Sequence, residues 1–355
     1  MDDETAMILA VQLVALSCIV GALLLYLLCK TAKRKHTYDA AFASLNVGTG
    51  RSVLITSAET AFGLQLALHL TSLGFRVFAG YKPKVREDDI QCRACNKEDQ
   101  QEDEFVYPVP EAVRILTAKV KHRESQTTSL SVGSYEDRSS FGSLISLPVD
   151  VTREDSLHEA VDIVRRHLPA GEDGLWAVIN TAGMCLKGRL DQQESSLWDA
   201  MFKINVVGTL RTARAFLPLL QIKQGRLINI GASGEREQGC GLVAYTAARH
   251  AVVGASAALR QEIGPLGVRV ITIHTDAIPS EKLFTWPRLM KCGEEDADLT
   301  ERYIKYNPSV IPSYGMETIE EAILTETPKA AYSLSKPTGF SNYVSAISQK
   351  FHHSK

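Results

Sequence analysis

The sequence predicts an α/β protein with an open, doubly wound parallel sheet, helices on both faces of that sheet, and one N-terminal transmembrane helix. Two observations carry this prediction. Short apolar runs typical of buried strands alternate with amphipathic helical segments along most of the chain. Before them, residues 7–29 form one uncharged apolar stretch, long enough to cross a hydrocarbon core of about 30 Å.

The apolar stretch at residues 7–29 is interpreted as an uncleaved membrane anchor. A cleaved signal peptide would have a basic start, a shorter apolar run and a small-residue cleavage site, whereas this stretch follows an acidic start. A buried core helix is the remaining alternative. By the positive-inside rule, the main domain lies on the cytoplasmic side, because a basic flank follows the stretch at Lys30, Lys33, Arg34 and Lys35.

The composition narrows the function classes. Of the 355 residues, 39 are Lys or Arg and 41 are Asp or Glu, and this balance gives no support to nucleic-acid binding. The seven cysteines are odd in number and scattered, which indicates a reducing compartment. No metal site is predicted, because the one CxxC pair, Cys92 and Cys95, has no second pair and no nearby histidine.

The first strand–helix–strand unit begins just after residue 50. The run RSVLIT predicts a buried strand at Arg51–Thr56, and the leucine-rich segment that follows predicts a helix ending near Gly74. The run RVFAG then predicts a second strand at Arg76–Gly80. Such closely spaced strands joined by a helix favour a right-handed parallel unit.

Residues 82–146 are predicted to form a largely disordered insertion. They contain the acidic run KEDQQEDE and a serine-rich stretch, and only one helix is predicted, at about residues 113–120. The acidic run is interpreted as a solvated surface, and a docking site for a protein partner is the alternative.

Regular alternation resumes after the insertion and completes a single Rossmann-like domain at residues 48–340. Before this domain lie the anchor and its basic flank at residues 1–35, and after it comes a C-terminal tail at 341–355. Further strands are predicted at residues 147–149, 175–180, 226–230 and 269–274. Further helices are predicted at residues 153–167, 196–220 and 243–263.

Polar and glycine residues stand at the predicted strand ends, where doubly wound sheets bind their ligands. The first strand is followed by Thr56-Ser57-Ala58-Glu59-Thr60-Ala61-Phe62-Gly63, and a later one ends in Asn180-Thr181-Ala182-Gly183. Helical segments contribute Asn205 in KINVVG, and Tyr245 with Arg249 in YTAAR. This set resembles the short-chain dehydrogenase/reductase family, whose patterns are TGxxxGxG, NNAG, a helical Asn, and Ser followed by YxxxK.

Longer phrases narrow the resemblance to one branch of that family. GLWAVINTAG, FLPLL…GRLINI and EEAILTETPKAAYS are similar to the branch that holds type 2 17β-hydroxysteroid dehydrogenase, retinol dehydrogenases and D-β-hydroxybutyrate dehydrogenase. The resemblance covers residues 51–339 outside the insertion. It implies an enzyme of the endoplasmic reticulum membrane that acts on a lipophilic alcohol or ketone, such as a steroid, sterol or retinoid. It also implies a homodimer.

The resemblance implies a nicotinamide cofactor, NAD(P), at the strand ends. The implied contacts are Thr56, Ser57, Ala61, Phe62, Gly63, Asp150, Val151, Asn180, Ala182, Gly183, Tyr245 and Arg249. Ser57 and Ala61 replace two glycines of the family's phosphate-binding turn, and a Cβ there narrows the approach of a pyrophosphate. No acidic residue ends the second strand, and Lys82 and Lys84 follow it, which favours NADP(H) over NAD.

The implied catalytic group is Tyr245, which acts in the family as the general acid/base at the substrate oxygen. Arg249 stands where the family has Lys; it can supply the positive charge but cannot pass on a proton. Asn205 matches the residue that holds a water for proton relay. The family's Ser position is Ala232, and the neighbouring Ser233 is the candidate substitute. Thr275-Asp276 replaces the family's Pro-Gly.

Three hypotheses follow. The first is a membrane-anchored oxidoreductase that transfers hydride between the nicotinamide and a lipophilic substrate. The second is a pseudoenzyme that keeps the fold for binding or scaffolding, since five cleft positions depart from the family pattern: Ser57, Ala61, Ala232, Arg249 and Thr275. The third is a non-redox isomerase that uses Tyr245 and Arg249 on an enolisable ketone.

Overall fold

The structure is a computed structural model, and it describes residues 47–83, 109–130, 142–232, 240–275, 278–287, 289 and 296–335, together with Gly21. The chain divides into two compact units, residues 1–47 and 48–355, and the fold given below is that of the second. The predicted anchor, the acidic run, Cys92, Cys95 and the C-terminal tail lie outside the described residues, apart from Gly21. Among the residues described, no helix is long and apolar enough to cross a membrane.

Seven parallel strands form one sheet in the order β3-β2-β1-β4-β5-β6-β7. The order reverses between β1 and β4, so the carboxyl ends of these two strands flank the crevice where such sheets bind ligands. The strands are β1 (Ser52–Ile55), β2 (Arg76–Tyr81), β3 (Leu144–Pro148), β4 (Ala177–Asn180), β5 (Arg226–Gly231), β6 (Arg269–His274) and β7 (Ala331–Ser333).

Helices cover both faces of this sheet. They are α1 (Ala61–Ser72), α2 (Glu111–Leu130), α3 (Glu154–Arg166), α4 (Ser195–Phe202), α5 (Thr209–Ile222), α6 (Val243–Ile263), α7 (Ser280–Leu283), α8 (Asp296–Lys305) and α9 (Ser313–Leu324). A π-helical turn, Lys203–Gly208, joins α4 to α5, and a 3-10 turn, Gly264–Leu266, follows α6. The predicted parallel sheet with helices on two faces is therefore confirmed.

The core consists of two apolar layers, one on each face of the sheet. Alternate residues of a strand point to opposite faces, so Val53 and Ile55 pack with α1, α2 and α9, whereas Leu54 packs with α3 and α5. Both faces are buried, which explains why the central strands are apolar at nearly every position. This packing fixes the carboxyl ends of the strands relative to one another.

Several segments differ from the sequence prediction, and β3, predicted at residues 147–149, spans Leu144–Pro148. Within the predicted insertion, α2 spans Glu111–Leu130 rather than residues 113–120, and it is not a solvated segment. It packs on α1 through an apolar face that includes Ala112, Leu116 and Val120, at spacings of four residues. The helix predicted at 196–220 is interrupted by the π-helical turn, whereas the helix predicted at 243–263 matches α6.

Candidate active site

The candidate site lies at the carboxyl ends of β1, β2, β4, β5 and β6. Hydrogen bonds tie the loop after β1 to the loop after β4. The Thr56 hydroxyl accepts from the backbone N–H groups of Thr181 and Ala182, both at 3.0 Å. The Ser57 N–H donates to the Thr181 hydroxyl at 3.0 Å, and that hydroxyl donates to the Ser57 carbonyl at 3.2 Å. The two loops therefore form one rigid wall of the cleft.

The turn into α1 is a tight one that requires glycine at a single position. The Thr60 side chain caps the helix, accepting from the Gly63 N–H at 3.1 Å and donating to the Ser57 carbonyl at 3.2 Å. A Cβ on Gly63 would overlap the Ser57 carbonyl oxygen. Neither Ser57 nor Ala61 has positive φ, so the backbone accepts these replacements without strain. Phe62 points into the core.

One wall of the cleft carries charged side chains. The Glu59 carboxylate, in the turn after β1, accepts from the Lys82 N–H at 2.9 Å and from the Ser57 hydroxyl at 3.5 Å. Burial raises the pKa of Glu59 to about 7, against the opposing effects of Lys82 and Ser57. Sequence reasoning missed Glu59, because it looked for an acid at the end of β2 itself.

Asp150, just after β3, forms an ion pair with Lys82 at 3.3 Å. It also accepts from the backbone N–H and the hydroxyl of Thr152, at 2.9 and 2.7 Å. Burial alone would raise its pKa, but the Thr152 hydrogen bonds and the Lys82 charge hold the pKa of Asp150 below its ordinary value. Asp150 is thus an ionised group at the same end of the sheet as Glu59.

The floor of the cleft is polar between β4 and α6. Asn180 donates to the Asn229 side chain at 2.8 Å, which in turn donates to the Ser256 hydroxyl at 2.9 Å. Val151 packs so closely on the π-helical turn that a Cβ on Gly208 would lie 2.8 Å from its side chain. These contacts position the strand ends relative to α5 and α6.

Tyr245 and Arg249 lie on adjacent turns of α6, and both are almost completely buried. The guanidinium carbon of Arg249 lies 5.8 Å from the centre of the Tyr245 ring. Arg249 donates to the Gly231 carbonyl and to the Thr275 hydroxyl, both at 3.3 Å, so it joins the ends of β5 and β6. Its buried Nε has no hydrogen-bond partner among the described residues.

Asn205 lies in the π-helical turn, and its amide clamps the loop after β4. The amide oxygen accepts from the Met184 N–H at 3.0 Å, and the amide nitrogen donates to the Met184 carbonyl at 2.9 Å. Ala232 is buried at the end of β5. Ser233 and Asp276 lie outside the described residues, so the structure gives no position for the candidate substitute of the family's Ser.

A short segment after α7 covers the catalytic side of the cleft. The Phe284 ring meets the Tyr245 ring edge-on, with the ring centroids 6.3 Å apart. The same Phe284 ring also packs on Gly183, because a Cβ on Gly183 would lie 2.5 Å from it. The Thr285 carbonyl accepts from the Ala61 N–H at 2.8 Å. That N–H, in the first turn of α1, is a group that could bind a phosphate oxygen. No sequence pattern singles out Phe284 or Thr285.

The two sides of the cleft therefore differ in how they fit a dinucleotide. The strand-end crevice, the tight turn at Gly63 and the polar groups at Asp150 and Glu59 fit its adenosine portion. On the other side, Tyr245 and Arg249 are brought together, and the Phe284 ring lies against the Tyr245 ring, where a nicotinamide would lie.

Comparisons with known proteins agree with this geometry. The family model for short chain dehydrogenases matches residues 118–283. D-beta-hydroxybutyrate dehydrogenase, mitochondrial, of Rattus norvegicus is 26% identical over 316 residues, which cover 89% of this chain and 76% of that protein. Estradiol 17-beta-dehydrogenase 2 of the same organism is 27% identical over 76% of this chain and 57% of its own length. An uncharacterized oxidoreductase of Staphylococcus aureus is 30% identical, covering 54% of this chain and 70% of that protein.

Proposed function

The chain belongs to the short-chain dehydrogenase family, and from this premise we propose that it is a nicotinamide-dependent oxidoreductase for a lipophilic alcohol or ketone. The observation that carries the proposal is the pairing of Tyr245 with Arg249 at the strand ends. The relatives whose names refer to estradiol and D-beta-hydroxybutyrate support an alcohol or ketone as the reacting group. Residues 7–29 would hold the enzyme at the membrane in which a lipophilic substrate dissolves.

In this proposal Tyr245 moves the proton at the substrate oxygen. When bound, the nicotinamide supplies or accepts the hydride at the substrate carbon. Reduction of a ketone requires the Tyr245 hydroxyl to donate its proton, and oxidation of an alcohol requires the phenolate to take one. The positive charge of Arg249 stabilises the phenolate, and burial strengthens that interaction. Arg249 does not relay the proton, since guanidinium stays protonated.

The other site residues hold the loops and strand ends of the cleft, and the cofactor, in position. Asn205 and Met184 hold the loop that presents Gly183 to the cleft. Asn180 fixes the end of β4 through Asn229 and Ser256. Asp150 and Glu59 would bind the adenosine portion of the cofactor, and the N-terminal turn of α1 would face its phosphates.

A homodimer is part of the proposal. The surface of α4, the π-helical turn and α5 exposes Phe202, Val207 and Leu210, which are large apolar side chains. Adjacent exposed apolar residues on consecutive turns support a contact with a second copy of the chain. Sedimentation of the detergent-solubilised protein tests this, and a monomer at micromolar concentration would contradict it.

The alternative is a pseudoenzyme, and one specific observation favours it. Phe284 and Thr285 occupy contacts that a nicotinamide and a pyrophosphate would need. In this alternative the fold serves binding, and the covered site does not open to a cofactor.

The test uses the full chain in lipid nanodiscs. NADH and NADPH are titrated by nicotinamide fluorescence, and turnover is then measured with steroid, sterol and retinoid alcohols and ketones. Micromolar binding, with turnover that Tyr245→Phe abolishes, supports the oxidoreductase. Absence of binding at millimolar nucleotide, in a protein whose far-UV dichroism shows it folded, would leave the pseudoenzyme. Turnover without net oxidation or reduction of the nicotinamide would indicate an isomerase.

A further inference from the structure

A carboxylate stands at the end of β2 although the sequence of β2 supplies none. Glu59 comes from the turn after β1, and its Oε2 accepts from the Lys82 N–H at 2.9 Å, one residue beyond β2. In doubly wound folds, an acid at this end of the second strand hydrogen-bonds the ribose hydroxyls of the adenosine. The Glu59 carboxylate therefore lies where such an acid binds the ribose, although it comes from the turn after β1 rather than from β2 itself.

A purely structural role accounts poorly for this side chain. Glu59 is 8% exposed, and taking a carboxylate out of water is costly unless a cation compensates it. Its hydrogen bonds come from one backbone N–H and one serine hydroxyl, while the Lys82 ammonium pairs with Asp150 instead. A neutral Gln would accept the same backbone hydrogen bond without the desolvation cost. The fold therefore does not account for a buried group that becomes charged near neutral pH.

We propose that Glu59 accepts hydrogen bonds from the adenosine ribose hydroxyls and makes the protein select NAD(H) over NADP(H). This inference rests on the proposed function. A 2′-phosphate would add about −1.5 to −2 charges at neutral pH. It would lie beside the carboxylates of Glu59 and Asp150, and the nearest described ammonium, that of Lys82, is already engaged. This proposal is the opposite of the preference for NADP(H) predicted from Lys82 and Lys84; Lys84 lies outside the described residues.

The experiment compares the full chain with Glu59→Gln in nanodiscs. The Gln variant removes the charge and keeps an acceptor for the Lys82 N–H. Dissociation constants are measured for NADH and NADPH, and also for 5′-AMP and 2′,5′-ADP, which need only the adenosine portion of the cleft. Glu262→Gln, an exposed position on α6, is the matched control.

We expect the unmodified chain to bind NADH at least about tenfold more tightly than NADPH, in line with hydrogen bonds to a charged group. In Glu59→Gln that ratio should fall about tenfold, with 5′-AMP weakened and 2′,5′-ADP strengthened, and Glu262→Gln should leave it unchanged. The preference of the unmodified chain should also grow between pH 6 and pH 8, as Glu59 ionises, and the variant should lack this dependence.

The outcomes separate this inference from the proposed function. If dinucleotides bind but Glu59→Gln leaves the NADH:NADPH ratio unchanged, Glu59 is not the selector and the redox proposal survives. If dinucleotides fail to bind but Glu59 still makes 5′-AMP bind more tightly than 2′,5′-ADP, the inference about Glu59 holds and the redox proposal fails. Equal binding of both fragments, or no binding of any probe by the folded protein, overturns the inference.

Discussion

The two sides of the cleft differ in the charge of their side chains and in how far those side chains are buried. On the adenosine side, Glu59, Lys82 and Asp150 form a charged group, and the Lys82 side chain is half exposed. On the catalytic side, Tyr245 and Arg249 are buried, and the Phe284 ring lies against the Tyr245 ring. Three departures from the family pattern, at Ala232, Arg249 and Thr275, belong to the catalytic side. Under the proposed function, this contrast means that the adenosine side keeps charged groups suited to a nucleotide, while Phe284 lies against the proposed catalytic tyrosine.

Replacing Tyr245 with Phe gives the largest expected effect on the catalytic side. Phe keeps the buried ring and removes the hydroxyl proposed to move the proton, so kcat should fall by about 10²- to 10⁴-fold. The affinity for 5′-AMP should stay within about twofold, since the adenosine side is untouched. Steady-state kinetics with the substrate found in the screen, together with fragment titration, measure both effects. Retention of full turnover would remove Tyr245 from the mechanism.

Gly63→Ala tests whether the turn shared by both sides is as tight as the geometry indicates. The added Cβ would overlap the Ser57 carbonyl oxygen, which belongs to the backbone and cannot rotate away. We expect a loss of about 3 kcal/mol in the free energy of unfolding.

Gly254→Ala is the matched control for Gly63→Ala. It lies inside α6 with no atom within 4 Å of the added Cβ, and helix propensity should make it more stable by roughly 0.5–1 kcal/mol. Denaturant unfolding of both variants measures the difference. Equal stabilities would contradict the tight turn.

The buried Glu59 should make stability depend on pH. Its folded pKa, about 7, lies above its ordinary value of 4.5, so the native state binds the proton more tightly than the unfolded chain. The resulting stabilisation is present below about pH 4.5 and is lost as the pH rises through 7. Between pH 5 and pH 8 the unmodified chain should therefore lose about 2 kcal/mol relative to Glu59→Gln. If the free energies of unfolding of the two proteins changed in parallel with pH, Glu59 would have an ordinary pKa in the folded state.

Phe284→Ala gives the smallest expected effect, and it sharpens the contrast in cover. Removal of the ring should expose Gly183 and Tyr245, so NADH should bind about three- to tenfold more tightly and associate faster. Leu266→Ala, at an exposed position in the 3-10 turn after α6, is the control and should change neither quantity. Stopped-flow fluorescence measures the association and dissociation rate constants of NADH, and their ratio gives the affinity. Weaker NADH binding by Phe284→Ala would make this ring part of the cofactor site rather than its cover.

The sheet was predicted from the sequence because apolar runs indicate burial on both faces. The helix α6 was predicted because its helical spacing of apolar residues is a local signal. The π-helical turn at Lys203–Gly208 was missed, since one extra residue in a helical turn leaves no compositional mark. The packing of α2 was underestimated because its polar face resembles the neighbouring insertion. Glu59 and Phe284 were missed for a different reason: each acts on a strand or loop distant in the chain, which no linear pattern encodes.

The hydrogen bond between Arg249 and Thr275 has a consequence for how such a site could evolve. Two departures from the family pattern are in direct contact, and the guanidinium also holds the Gly231 carbonyl. Arg249→Lys alone would lose the fork that bridges two strand ends, and Thr275→Pro alone would remove the hydroxyl that accepts from Arg249. We therefore expect the two positions to be epistatic, with each single substitution costing more stability than the double substitution Arg249→Lys with Thr275→Pro.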